Sequence, residues 1–147
     1  MTLSHAPSAA ATIGRRAMNE AAPGVPDMVD ASLAVLSPNT ARRIYEQIWG
    51  DLYQDPSLSL RDRTLATIAG LTVLGGAEAN LSLQINIALN AGMTPVEIVA
   101  VIEHAATIAG FPRAQAALTT AAGVFSQRGV DGTADVMSSA PMPSQRR

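Results

Sequence analysis

From Ser37 onward, apolar residues recur at helical spacing, and the breaks between the runs carry helix-capping chemistry. Ser37-Pro38 sets a capping hydroxyl ahead of a proline suited to the first helical position, predicting a helix to about residue 54, where Asp55-Pro56 breaks it. Ser59 caps a second helix over 60–74 that stops at Gly75-Gly76. A third runs over 77–91, closed by Gly92. Thr94-Pro95-Val96-Glu97 has the order of a capping box, with Glu97 at the third helical position, and opens a fourth helix that reaches Ala109. Gly110 closes it, Pro112 starts a fifth, and Gly129 ends that one. No alternating strand pattern competes. Residues 8–34 predict one or two shorter helices divided at 22–26. The expected organisation is a flexible N-terminus over 1–13, a single helical domain over 14–129 and a disordered Ser-, Pro- and Met-rich tail over 130–147. Adjacent helical hairpins, 60–91 and 95–128, predict an all-α antiparallel bundle.

On the third helix Leu81, Gln84, Ile85, Ala88 and Leu89 share one stripe, so Gln84 interrupts an apolar face. Leu83 and Ile87 carry apolar character around the other side, which predicts burial against a second subunit. On the fourth, Glu97, Val101, His104, Ala105 and Ile108 fall together, so His104 interrupts a second stripe expected to face inward. Two polar groups on facing apolar stripes either line a pocket or are ordinary buried polar residues with satisfied hydrogen bonds. Tyr45 and Trp49, four apart, either wall a pocket or, more commonly at that spacing, pack as core. Glu78 and Glu103 lie beside their stripes, which favours solvent.

Composition narrows the chemistry. At 147 residues and 15.2 kDa the chain is the size of one ordinary domain. It is 48% hydrophobic but only 3% aromatic, so the core is expected to consist of Ala, Leu, Ile and Val. A net charge of -2 offers no grip on phosphate backbones or anionic lipid, which argues against nucleic acid and membrane partners. Absence of cysteine removes thiol catalysis, Cys-ligated metal and disulfides, and His5 and His104 are too few for a multi-histidine metal site. The first twenty residues lack the apolar core of an export signal, so a cytoplasmic location is expected. The longest apolar runs, 64–74 and 98–111, fall short of the ~20 residues that span a bilayer.

One set of ordered motifs is more specific. Trp49-Gly50 is followed by Leu58-Ser59-Leu60-Arg61-Asp62-Arg63-Thr64-Leu65, by Ala88-Leu89-Asn90-Ala91-Gly92-Met93-Thr94 with Glu97-Ile98, by Val101-Ile102-Glu103-His104, and by Ala109-Gly110-Phe111-Pro112. Over about residues 40–128 this resembles the carboxymuconolactone decarboxylase family. The resemblance implies an all-α fold of the carboxymuconolactone decarboxylase and alkylhydroperoxidase D-like type and homo-oligomers, often trimers or hexamers, with sites near subunit boundaries. It also implies a small-molecule substrate and, in the decarboxylase branch, no cofactor.

The alkylhydroperoxidase D branch carries a Cys-x-x-Cys, a following His and an upstream Glu. Those positions fall here on Ala77, Asn80, Gln84 and Thr64, so thiolate peroxidase chemistry is excluded. The decarboxylase branch usually has His where this chain has Gln84 and commonly Tyr where it has Ile108. Loss of carboxylate from a butenolide spreads electrons onto the lactone oxygen, which calls for donors at that oxygen and an acid that protonates carbon. His104 is the candidate acid/base, and Gln84 a hydrogen-bonding orienter that cannot exchange a proton near neutral pH. Arg63 is the candidate for a substrate carboxylate, or else part of an ion-paired helix start; Asn80, Trp49 and Tyr45 complete the candidate substrate contacts.

The expected function is a cofactor-independent lyase acting by proton transfer on a small carboxylated, lactone-like or polycyclic substrate. The alternatives are a recruited biosynthetic cyclase, isomerase or dehydratase, and a noncatalytic oligomeric scaffold.

Overall fold

A computed structural model describes residues 7–130, and every regular element among them is helical. The tail expected over 130–147 and the first six residues of the N-terminus lie outside the described residues, except for Val130. Two compact units divide the chain, one up to Arg63 and one from Thr64 onward. The sequence reading had one domain over 14–129.

In the first unit α1 spans Ala9–Ala21, so helix begins inside the stretch expected to be flexible. Ser8 caps it, its hydroxyl accepting from the Ala11 N–H at 3.1 Å. Next come α2 (Val25–Ala31), the single turn α3 (Leu33–Leu36) and α4 (Pro38–Arg43). The expected helix to residue 54 does not continue as α-helix: Ile44–Trp49 winds as a π-helix and Leu52–Gln54 as a 3-10 turn. The wider π turn brings positions four apart closer to one face, and both Tyr45 and Trp49 are buried there. This stretch packs on α1 through Gly14, where a Cβ would run into the Tyr45 carbonyl and, at 2.7 Å, the Gly50 nitrogen. Only glycine permits that approach.

α5 (Leu60–Leu74) begins at the unit boundary. Ser59 caps it as expected, accepting the Asp62 N–H at 3.1 Å. Gly75 and Gly76, both at positive φ (66° and 71°), turn the chain into α6 (Glu78–Asn90). α7 (Pro95–Ala109) opens with both halves of the capping box: Glu97 N–H to Thr94 Oγ1 at 3.2 Å, and Thr94 N–H to Glu97 Oε2 at 2.9 Å. Gly110 alone separates it from α8 (Phe111–Arg128). The core of the second unit joins Ile68 of α5, Leu81 and Ile85 of α6, Ile98 and Ile102 of α7, and Ala117, Val124 and Phe125 of α8. Alanines on α8 let these helices come close, as the low aromatic content leads one to expect.

Candidate functional site

Gln84 sits where its helix is most enclosed. Buried positions on α6 are Leu81, Ile85, Ile87 and Ala88, and at about 100° per residue Gln84 falls between Leu81 and Ile87 on the wheel. Its Oε1 is buried and has no hydrogen-bond partner among the described residues. A buried polar atom without a partner costs stability, so it marks either strain or a place kept for a ligand or water. The expectation of a polar interruption in an apolar face is met, but the satisfied alternative is not. Ile87 is fully buried within the chain itself, so the second apolar face of α6 gives no reason to invoke another subunit.

His104 departs from the expectation. α7 turns Ile98, Ile102 and Ala105 into the core, and His104, about 100° from Ala105, is exposed. The expected stripe is the neighbouring one: Ile108 on that face is 76% exposed and Val101 only half-buried. In the core of this unit Ile98 and Ile102 of α7 join residues of α8, with Val101 and Ala106 packed partly against them. The His104 ring makes no hydrogen bond to any described residue, while its backbone carbonyl accepts the Thr107 hydroxyl at 2.7 Å. His104, Gln84 and Asn80 thus share one unit, but Gln84 is directed inward, His104 and Asn80 outward, and no hydrogen bond joins them.

The other three candidates belong to the first unit. Arg63 is buried, with Nη2 donating to the Asp55 carbonyl at 2.6 Å and Nε to the Leu58 carbonyl at 3.2 Å. It ties down the 55–58 turn by these bonds. Its guanidinium carbon lies 5.8 Å from the centroid of the Tyr53 ring, which in turn meets Trp49 at 4.4 Å between centroids, tilted by 37°. Arg63 and Trp49 are therefore linked through Tyr53, a residue the sequence reading passed over although it stands four after Trp49. Tyr45 joins neither. Its hydroxyl donates to the Pro26 carbonyl at 3.0 Å and to Asp30 at 2.8 Å. Burial first, and then the bond to Asp30, push the phenol well above its ordinary range. The core reading of Tyr45 and Trp49 accounts for both rings. Asp55 takes the Ser57 N–H at 2.8 Å, which holds its carboxyl below the usual range. Among the described residues no cluster of three His, Cys, Asp or Glu is placed to hold a metal.

The second unit is thus four helices around a core of aliphatic residues and alanines, with the capping box before α7 and one histidine late in it. Residues 38–122, more than half of the chain, match the profile of the carboxymuconolactone decarboxylase family, and the chain belongs to that family. Among curated relatives, the 4-carboxymuconolactone decarboxylase of Acinetobacter baylyi (strain ATCC 33305 / BD413 / ADP1) is 35% identical over 82 residues, 56% of this chain and 60% of its own length. The match thus spans less than two thirds of that relative. No helix among the described residues is long and apolar enough to cross a membrane.

Proposed function

We propose that this protein is a carboxymuconolactone decarboxylase-like enzyme that acts by proton transfer on a small carboxylated lactone. The inward Gln84 is the group that orients the substrate and the solvent-facing His104, the one imidazole among the described residues, is the acid/base, the two meeting the substrate from different sides. Family membership over residues 38–122 supports the reaction class. The observation that carries the site is the buried, unpartnered Gln84 Oε1. In the reaction the carbon–carboxylate bond breaks, CO₂ leaves, and the released electron pair spreads through the ring alkene onto the lactone oxygen. An acid then protonates carbon. The imidazole of His104 is exposed and makes no hydrogen bond to a described residue, so solvent and a substrate can reach it. The Gln84 amide offers a donor and an acceptor but no exchangeable proton near neutral pH. Arg63, engaged with two backbone carbonyls, acts here as a positioning residue, a role distinct from both the carboxylate receptor and the ion-paired helix start that its sequence context offered. The chemistry proposed needs no metal or redox cofactor.

A second reading rests on Gln84 itself. Since this side chain cannot shuttle a proton, a relative turned to cyclisation, isomerisation or dehydration would keep the same two groups.

The test uses 4-carboxymuconolactone as probe, following CO₂ release. His104→Gln is expected to lose about 10²–10⁴-fold in rate and, being a surface change, to shift stability by no more than ~0.5 kcal/mol. Normal turnover by His104→Gln removes the acid/base assignment. If the parent leaves the probe intact but turns over an unsaturated lactone or cyclic ketone without releasing CO₂, the second reading replaces the first.

A further inference from the structure

The first unit holds an open cleft of about 250 Å³ that the reaction proposed above does not use. Its walls are apolar: Ala11 of α1, Ala34 of α3, and Pro38 and Ala41 of α4. Three polar side chains line it. They are Asp30 from α2, Arg42 from α4, and Tyr45 from the π-helical stretch, a rare winding that concentrates at functional sites. Ala11, Asp30 and Ala34 precede residue 38, where the family match begins, so the cleft is built in part from sequence outside that match. A concave apolar site with a few convergent polar groups has the make-up of a small-molecule pocket, and this volume suits a ligand of roughly ten heavy atoms.

Charge selects the ligand. Arg42 is matched one to one, its guanidinium paired with the Glu46 carboxylate. Asp30 is not so matched: it shares the guanidinium of Arg15 with Asp27, at 2.9 and 2.7 Å, and these three groups carry one net negative charge. The Tyr45 hydroxyl donates to Asp30 Oδ1 at 2.8 Å and adds no charge. That oxygen accepts nothing else among the described residues, which leaves it a lone pair for a further donor. We infer that the cleft binds a small organic cation, a primary amine on a compact apolar body, whose ammonium donates to Asp30 while the body packs on Ala11, Ala34, Pro38 and Ala41. Gln84 and His104 belong to the second unit, so this site does not depend on the reaction proposed above.

The probe is 2-phenylethylamine, with 2-phenylethanol as its uncharged counterpart and 3-phenylpropanoate as its anionic one. Each is titrated at neutral pH into the full, isotopically labelled chain, and backbone amide shifts are followed by NMR. The amine is expected to move the Ala11, Asp30, Ala34 and Ala41 amides saturably while those of Ala117 and Val124 in the second unit stay still. It is expected to bind at least about tenfold more tightly than the alcohol, the difference made by one charge-assisted hydrogen bond. Asp30→Asn is expected to bring the amine down to the affinity of the alcohol. Because that substitution also alters the bonds to Tyr45 and Arg15, Ala34→Phe is tested beside it. This second variant fills the cleft, leaves every charge in place, and is expected to keep the parental helix content by circular dichroism and to lose the amine. Equal affinity for amine and alcohol, tighter binding of the carboxylate, shifts confined to the second unit, or amine binding retained in Ala34→Phe overturns the proposal. So does an amine titration that shows no saturation by ~20 mM, since a ligand of roughly ten atoms at ordinary efficiency binds in the millimolar range or better.

Discussion

Tyr45 and Asp30 are joined by a 2.8 Å hydrogen bond, and the other oxygen of the same carboxylate receives Arg15 Nη2 at 2.9 Å and Nε at 3.1 Å. A buried phenol on the π-helical stretch thereby ties α2 to α1 through one carboxylate. The bond is an acceptor–donor pair that water only partly replaces, since the ring is buried while Asp30 is exposed. Tyr45→Phe keeps the packing and removes the hydroxyl. The expected loss is about 1 kcal/mol, read as a lower urea midpoint with an unchanged slope.

The same phenol predicts how stability depends on pH. Its folded-state pKa is raised above the unfolded value of about 10, so its contribution is fully present below that pH and is lost as pH rises further. The chain contains no lysine, so little else titrates there. Unfolding free energy is expected to fall above about pH 10 in the parent and in Tyr53→Phe, and to stay flatter in Tyr45→Phe. Urea titrations at pH 8 through 11 check the difference. An equal fall in all three proteins contradicts it.

Gly14 permits the backbone of α1 to meet that of the π-helical stretch. Gly14→Ala places a methyl against the Tyr45 carbonyl and the Gly50 nitrogen, backbone atoms that cannot rotate away. The expected cost is about 3 kcal/mol, at the upper end of overpacking changes. Gly123→Ala, where a Cβ meets nothing within 4 Å on α8, is expected to be neutral or slightly stabilising by thermal melting.

The cap of α7 is local enough to test alone. Thr94→Ala removes the acceptor for the Glu97 N–H and is expected to cost about 1 kcal/mol, with Thr94→Ser recovering most of it.

An unsatisfied buried oxygen implies a trade between stability and function at Gln84. Gln84→Met, similar in length and apolar, is expected to raise stability by up to about 1 kcal/mol and to lower turnover of the lactone probe. A less stable variant with full activity contradicts both parts.

The second to fifth helices and the caps at Ser59 and Thr94 were legible because their causes lie within four residues of one another: Ser59 with Asp62, Thr94 with Glu97, Gly75-Gly76 after Leu74; the Ser37 hydroxyl expected to cap the first instead meets the Thr40 hydroxyl. Inclusion in the family was legible too, since its motifs are short ordered strings, and the profile match over 38–122 bears it out. What the tertiary structure decided is which way each helix faces. His104 and Ala105 are neighbours in sequence, yet about 100° of rotation puts one in water and the other in the core, and which of them faces inward depends on the helices packed around α7. The π-helical winding at Ile44–Trp49 has no local signal in the sequence either: that stretch packs on α1 at Gly14, thirty residues earlier. Capping free energies act along the chain and can be read from it. Burial acts between segments, and a period of 3.6 residues names an apolar stripe without naming the neighbour that covers it.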